Sequence, residues 1–217
     1  MTISPTLILV FITAYILGSI PSSVWIGRAF FGIDVREHGS GNAGATNTLR
    51  VLGKPAGIAV LIIDFMKGFT AANLVFWQGV LSDSPYLMEY KMALGACAVL
   101  GHIYPVFAGF RGGKGIATLI GVVGGMDWML ALACFISFII IVGITRYISV
   151  GSMLTALISP LYAGLIHHWQ ELNLVYFCSV VGVLVVYTHR TNVKRLRDGN
   201  ENRFSFNKKP DVNKHTV

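Results

Sequence analysis

Three short segments of this 217-residue chain combine glycine, neutral polar side chains and basic residues, which suits them to anion binding. The first spans residues 39–50 and reads GSGNAGATNTLR. Its glycines let backbone N–H groups approach an anion closely, and the fork of Arg50 matches phosphate oxygens. The candidate ligands are Ser40, Gly41, Asn42, Gly44, Thr46, Asn47 and Arg50. The G-x-G-x-x-G spacing lacks the preceding strand of a dinucleotide site, so that fold is excluded.

The second segment spans residues 101–115 and ends in RGGKG, just before an apolar run that begins at Ile116. A helix N-terminus attracts anions through its N–H groups and dipole. The candidate ligands are Arg111, Gly112, Gly113 and Lys114. Membrane anchoring would also explain the two cations, but not the glycines between them. The spacing differs from G-x-x-x-x-G-K-[ST], so a nucleotide P-loop is excluded, and His102 is as typical of a structural hydrogen bond as of a catalyst.

The third segment follows the last apolar run and begins HRTN at His189. His189 and Asn192 are three residues apart and therefore share a helical face. A neutral imidazole can accept a proton or donate a hydrogen bond to a substrate. Glu201 is a supporting candidate in the same segment. Asp64 and Lys67, inside an apolar run, either pair with each other or support the site.

The elements that carry these segments are predicted to be membrane helices. The chain is 54% hydrophobic and only 12% charged, with a mean hydropathy of +0.65. A soluble domain carries about 25% charged residues. The composition therefore predicts an all-α polytopic membrane protein, and no α/β pattern supports a soluble dehydrogenase.

A helix needs about 20 apolar residues to cross the bilayer. The candidate spans are residues 5–26, 56–81, 91–107, 128–145, 149–166 and 172–188. Residues 116–126 are either a short seventh crossing or part of one long span over residues 116–144. The positive-inside rule favours seven transmembrane helices, because Arg146 and the basic tail then lie on the same side as the other basic loops. The expected orientation is N-terminus outside and C-terminus cytoplasmic, which puts all three polar segments on the cytoplasmic face.

The net charge of +7 is concentrated beyond His189, which favours contact with anionic lipid headgroups. No nucleic-acid motif accompanies it, so we expect no nucleic-acid partner. We expect one transmembrane domain over residues 1–203 and a disordered basic tail over residues 204–217. The acidic residues are too few and scattered for a metal site, and no cofactor is expected.

Taken together, the segments resemble the bacterial acyl-phosphate:glycerol-3-phosphate acyltransferase family (PlsY). The family's first motif is similar to GSGNAGATN at residues 39–47 with Arg50. Its second is similar to GH at 101–102 with Pro105 and FRGGKG at 110–115. Its third is similar to HR-x-N at 189–192 with RL at 195–196 and G-x-E at 199–201. The resemblance runs from about residue 15 to residue 205. It implies a multi-pass inner-membrane enzyme whose active site faces the cytoplasm.

The resemblance also implies a reaction: acyl transfer from acyl phosphate to the 1-hydroxyl of glycerol 3-phosphate. The products would be lysophosphatidic acid and phosphate, in the first step of phosphatidic acid synthesis. Neither acyl-CoA nor acyl-carrier protein would be the donor.

We expect the loop around Ser40 to surround the acyl-phosphate headgroup, Arg50 and Lys114 to bind phosphates, and His189 with Asn192 to position glycerol 3-phosphate. Either His189 or a substrate phosphate takes the hydroxyl proton. A covalent Ser40 intermediate is disfavoured because no base adjoins it and no G-x-S-x-G turn is present. The alternative function is a transporter of a phosphorylated solute, although no internal repeat supports it.

Overall fold

The computed structural model describes residues 5–79 and 84–204, and within these ranges every regular element is a helix. The α-helices are α1 (Pro5–Gly18), α2 (Ser22–Phe31), α3 (Ala45–Leu52), α4 (Lys54–Asn73), α5 (Leu87–Ile103), α6 (Ile116–Met126), α7 (Trp128–Thr145), α8 (Ile148–Ile166), α9 (Leu172–Thr188) and α10 (Arg190–Arg197). Short 3-10 turns cover Val35–Glu37, Leu74–Gly79 and Val106–Ala108. The predicted tail, residues 204–217, lies outside the described residues except for Phe204.

The helices confirm the prediction of an all-α membrane protein. Four described segments are long and apolar enough to cross a bilayer: Lys54–Trp77, Leu87–Ala108, Trp128–Thr145 and Ile148–Ile166. The number rises to six if α1 with α2, and α9 with α10, each form one bent span. Large apolar side chains such as Phe135, Ile139 and Ile140 are exposed on α7, as expected for a lipid-facing surface.

The first predicted span, residues 5–26, is not one helix. It is interrupted after Gly18, and α2 continues at an angle of 44° to α1. Pro21 has no backbone N–H and cannot continue the helical hydrogen bonds, so a new helix begins at Ser22. The predicted span over residues 56–81 also changes, because its regular helix ends at Asn73 and continues as a 3-10 turn, with residues 80 and 81 outside the described part.

The alternative of one long helix over residues 116–144 is wrong. α6 ends at Met126, and the next residue, Asp127, has an extended backbone with φ −149° and ψ 109°. Its carboxylate accepts hydrogen bonds from the N–H groups of Met129 and Leu130, which makes Asp127 the N-cap of α7.

The described chain divides into two compact units, one ending at Met126 and the other beginning at Asp127. In the first unit, α4 packs closely against α6 because two glycines allow their backbones to approach. A Cβ atom on Gly68 would lie 2.1 Å from the carbonyl oxygen of Thr118, and one on Gly121 would lie 2.0 Å from that of Phe65. This contact explains why the short α6 is stable although it has only 11 residues.

In the second unit, α8 packs between α7 and α9, and α10 follows α9 after a bend of 57°. Its buried apolar core includes Leu130, Leu174 and Val185. His167, after α8, lies 2.5 Å from the carboxylate of Asp127, before α7, which joins these two helix ends. The single domain predicted for residues 1–203 stays a prediction.

We predict that Gly121→Ala lowers the thermal stability of the detergent-solubilised protein, because the added methyl group cannot fit against the backbone of α4. Overpacking of this kind costs about 1–3 kcal/mol or more. The matched control is Gly143→Ala in α7, where an added Cβ meets nothing within 4 Å. Thermal unfolding of both variants is the measurement, and equal midpoints would contradict the packing described here.

Candidate active site

The loop around Ser40 is held from within by Asn47. The backbone N–H and the hydroxyl of Ser40 both donate to Asn47 Oδ1, at 2.8 and 3.0 Å. Asn47 Nδ2 in turn donates to the carbonyl oxygens of Val35 and His38, at 2.8 and 3.1 Å. Gly39 is required at the turn because its φ is +61° and a Cβ there would lie 2.5 Å from Asn47 Oδ1. We call residues 39–44 the Ser40 loop.

The first segment was predicted to supply phosphate ligands, and these contacts show how its side chains are arranged. Asn47 is only 2% exposed and uses both amide atoms to hold the loop, so its contribution here is structural. Ser40 is half-buried, and its hydroxyl must rotate away from Asn47 before it can donate to a ligand. Gly41 and Thr46 are exposed, whereas Asn42, Gly44 and Arg50 are half-buried.

The second loop, residues 109–115, is tied to the end of α5, and we call it the Lys114 loop. The N–H groups of Gly112 and Gly113 donate to the carbonyl oxygens of Ile103 and His102, at 3.1 and 3.2 Å. Sequence reasoning expected these N–H groups to face an anion, but the end of α5 supplies their acceptors instead. Lys114 is half-buried and Arg111 is exposed.

Gly113 is the point where the two loops meet. A Cβ at this position would lie 2.9 Å from the carbonyl oxygen of Ala43 in the Ser40 loop and 2.3 Å from His102 Nε2. Only glycine leaves enough space for this approach. The prediction that the first two polar segments come together is therefore realised inside the first unit.

A buried ionic cluster lies beside the loops. It includes Asp64 and Lys67, which pair with each other, one of the two alternatives predicted from the sequence. Asp64 Oδ1 lies 2.9 Å from Lys67 Nζ and accepts a hydrogen bond of 2.7 Å from Ser22 Oγ. His102 Nδ1 lies 3.7 Å from the same oxygen and 3.1 Å from Thr118 Oγ1. The side chains of Asp64 and Lys67 are only 1% and 4% exposed, so their charges must be balanced locally.

The cluster and the two loops surround a small cleft that is partly open to solvent. Within the described part of the chain, Asp64 Oδ2 has no hydrogen-bond partner although it is buried. The cleft is lined by Ser22, Asp64, Lys67 and His102 on the helices and by Ala43, Gly112 and Gly113 on the loops. Of the supporting residues proposed from the sequence, Asp64, Lys67 and His102 thus lie beside both loops.

Sequence reasoning did not identify Asp34 and Arg36, which join the loops. The Arg36 side chain donates to the Asp34 carboxylate from Nε at 3.0 Å and from Nη2 at 2.7 Å. Arg36 Nη1 donates to the carbonyl oxygens of Ala108 and Arg111, at 2.8 and 3.2 Å. Arg28 also pairs with Asp34, at 3.0 Å, but its side chain is 63% exposed. The pattern D-x-R at residues 34–36, shortly before Gly39, could have indicated the ion pair but not its distant backbone acceptors.

The third segment lies in the second unit, where α9 bends into α10. His189 Nδ1 lies 2.8 Å from the carbonyl oxygen of Val185, which can only accept, so Nδ1 carries a proton. In a neutral ring the lone pair is then on Nε2. Asn192 Nδ2 and Ser149 Oγ both donate to Glu201 Oε1, at 2.6 and 2.7 Å. Glu201 therefore joins α8 to α10 and orients Asn192. The convergence of this segment with the other two stays a prediction.

We predict that Lys67→Met strongly destabilises the protein, because it leaves the Asp64 carboxylate buried without its cation. Breaking such a pair costs about 3–5 kcal/mol. The double variant Asp64→Asn with Lys67→Met removes both charges and should recover much of the thermal stability. The control is Lys91→Met: Lys91 donates to the carbonyl oxygen of Gly125, a neutral acceptor. A double variant no more stable than Lys67→Met would contradict the charge balance.

Comparison with known proteins identifies the family. The sequence profile of the family described as "Glycerol-3-phosphate acyltransferase" matches residues 8–199. A relative with that name from Chlorobaculum tepidum is 41% identical over 94% of this chain and 99% of its own length. Another, from Listeria welshimeri, is 41% identical over 90% of this chain and 95% of its own length.

Solved structures agree with the sequence relatives. The glycerol 3-phosphate form of PlsY (YgiH), an integral membrane glycerol 3-phosphate acyltransferase, is 38% identical and matches with a TM-score of 0.79 over 91% of this chain and 95% of that chain. The lysophosphatidic acid form of the same protein matches with a TM-score of 0.77 over 92% and 95%. On this evidence the chain belongs to the glycerol-3-phosphate acyltransferase family.

Proposed function

We propose that this protein transfers the acyl group of acyl phosphate to the 1-hydroxyl of glycerol 3-phosphate, giving lysophosphatidic acid and phosphate. The observation that carries the proposal is the cleft where the Ser40 loop meets the Lys114 loop. Both reactants carry phosphate, and these loops hold the residue types that bind it. The solved relatives in glycerol 3-phosphate and lysophosphatidic acid forms support the same substrate and product.

The reaction needs alignment more than strong acid catalysis. The 1-hydroxyl oxygen of glycerol 3-phosphate attacks the acyl carbonyl carbon, and a new C–O bond forms. The tetrahedral intermediate collapses with cleavage of the bond between that carbon and the phosphate oxygen. Phosphate is a good leaving group, and the hydroxyl proton passes to a phosphate oxygen or to His189.

In the first unit, the cations and the serine act on the acyl phosphate. Ser40 Oγ, once rotated, donates to the phosphate or to the developing oxyanion. Arg50 and Lys114 bind phosphate oxygens and fix the direction of attack. Further contacts to the substrate phosphates come from Gly41, Asn42, Gly44, Thr46 and Arg111, whereas Asn47, Gly112 and Gly113 keep the two loops in place.

In the second unit, His189 and Asn192 position glycerol 3-phosphate. With its Nδ1 proton donated to Val185, the His189 ring accepts a hydrogen bond at Nε2, which matches a substrate hydroxyl. Glu201 fixes the amide of Asn192. We favour a phosphate oxygen as the final proton acceptor.

We also propose seven crossings, with α6 as a short one, the N-terminus outside and the site on the cytoplasmic face of the inner membrane. The support is the charge of the loops: Arg28, Arg36, Arg50, Arg111, Lys114 and Arg146 all fall on the inner side in this topology. Asp127 and Glu171 fall on the outer side.

The activity is tested by incubating the purified protein with acyl phosphate and radiolabelled glycerol 3-phosphate, without acyl-CoA or acyl-carrier protein. We expect labelled lysophosphatidic acid and one equivalent of phosphate. A parallel reaction with acyl-CoA should give no product. Uptake of label into sealed vesicles without lipid formation would instead support a transporter.

We predict that Arg50→Ala and Lys114→Ala each lower kcat/KM by about 10²–10³-fold, the loss typical of removing one preorganised donor to a developing charge. The control is Lys54→Ala, which removes an exposed cation at the start of α4 and should retain activity. Steady-state kinetics are measured on variants whose thermal midpoints match the unmodified protein. Near-normal turnover in either Arg50→Ala or Lys114→Ala would remove that residue from the site.

A further inference from the structure

We propose that Arg36 is a positioning residue for acyl transfer, because one guanidinium holds the Ser40 loop and the Lys114 loop in register. The proposal rests on the function proposed above. Arg36 precedes the Ser40 loop by three residues, yet its side chain bonds to carbonyl groups 72 and 75 residues further along the chain. It therefore ties the backbone just before the Ser40 loop to the turn that leads into the Lys114 loop.

The guanidinium is oriented by Asp34. Two of its nitrogens, Nε and Nη2, face the carboxylate, which leaves Nη1 directed at the second loop. The backbone N–H of Arg36 also donates to Asp34 Oδ1, at 3.0 Å, and this carboxylate caps the Val35–Glu37 turn. The Arg36 side chain is only 16% exposed, so little of it can move into solvent.

The acceptors of Arg36 lie on either side of an unfavourable turn. Gly109 and Phe110 have φ values of +62° and +58°, and a left-handed backbone is costly for phenylalanine. Phe110 is 58% exposed, so burial of its side chain does not secure this conformation. The Phe110 N–H donates to the carbonyl oxygen of Pro105 at 2.9 Å, and Arg36 holds the carbonyls of Ala108 and Arg111 that flank the two residues.

This arrangement determines the backbone position from which the Lys114 side chain extends. The carbonyl of Arg111 is held by Arg36, and the next two residues, Gly112 and Gly113, are bound to the end of α5. Lys114 follows directly. A displacement of about 1 Å in a reacting group can cost about 10²-fold in rate, so a relaxed turn would lower turnover without removing any phosphate ligand.

Lysine cannot replace Arg36 in this role. An ammonium is a single point of charge, whereas the guanidinium donates along two directions at once, to the carboxylate and to the two carbonyls. Arg28 shares Asp34 as a partner but is largely exposed, and the contact that the structure records for its guanidinium is with Asp34. Arg28 therefore offers a matched comparison in which a cation is removed from the same carboxylate.

The pair is intact at physiological pH. The hydrogen bond from Arg36 lowers the pKa of Asp34 to about 2. Since the folded pKa is depressed, the stabilisation is complete above the unfolded pKa of about 4 and is lost only as the pH falls toward 2. The effect of changing Arg36 on activity should therefore be the same at about pH 6.5 and at about pH 8.5.

The experiment compares Arg36→Ala, Arg36→Lys and Asp34→Asn with Arg28→Ala, in detergent and well below each thermal midpoint. We expect kcat/KM to fall by about 10²-fold for Arg36→Ala, mostly in kcat, with a partial loss for Asp34→Asn. Arg36→Lys should not restore activity, and Arg28→Ala should match the unmodified protein. Added guanidinium, but not ammonium, should partly restore the kcat of Arg36→Ala while the folded fraction stays the same, a response that a loss of global stability alone would not give.

The proposal is overturned if Arg36→Ala and Arg28→Ala have equal kcat/KM. It is also overturned if the fall in kcat/KM of Arg36→Ala is fully explained by a smaller folded fraction and added guanidinium restores no activity. If Arg36→Ala does not fold, Asp34→Asn decides, and normal activity there overturns the proposal. Lys114→Ala is assayed in parallel. If Lys114→Ala is active, the proposed site is refuted. If Lys114→Ala is inactive while the Arg36 variants are fully active, only the inference about Arg36 is refuted.

Discussion

A carboxylate buried at membrane depth must have its charge balanced nearby, and the first unit is arranged around that requirement at Asp64. The groups that meet it come from four helices: Ser22 begins α2, Lys67 lies on α4 with Asp64, His102 ends α5, and Thr118 lies on α6. Lys67 also donates to the carbonyl of Ile20, at 3.0 Å. That carbonyl is available because Pro21 interrupts the helix, so the helix break and the ion pair depend on each other.

The cluster explains why the glycine loops can be ordered without large side chains of their own. The carbonyl of His102 accepts the N–H of Gly113, and the ring of His102 lies against the same residue. The buried ionic cluster therefore helps to hold the backbone that leads to Lys114. Because the groups are in place before the substrate binds, little reorganisation is needed when charge develops, which is how electrostatic preorganisation accelerates acyl transfer.

The sequence was sufficient for the residue types and the fold class, but not for the hydrogen-bond partners. Apolar runs separated by basic loops identify membrane helices because hydropathy is additive along the chain. Asn47 was expected to bind phosphate directly, which stays a prediction, but the sequence did not indicate that its amide bonds to Ser40 and to backbone carbonyls. Arg36 was missed because its distant acceptors are main-chain carbonyls, which every residue carries and no sequence pattern marks. The helix break at Pro21 was also missed, although proline is a visible signal of such a break.

The contacts of His189 bear on which group accepts the hydroxyl proton in the proposed reaction, His189 or a phosphate oxygen. In a Ser-His-Asp triad a carboxylate accepts the Nδ1 proton and stabilises the imidazolium that forms. Here the Nδ1 proton is donated to the carbonyl of Val185, a neutral acceptor in the position that the carboxylate has in the triad. Such a histidine is well suited to orient a hydroxyl through Nε2 but less suited to hold its proton. In the proposed reaction the leaving phosphate gains negative charge as the bond to the acyl carbon breaks, so its basicity rises when the hydroxyl proton must leave. If acyl phosphate is the donor, as we propose, the Nδ1 contact of His189 and the chemistry of the leaving group are both consistent with a phosphate oxygen as the proton acceptor.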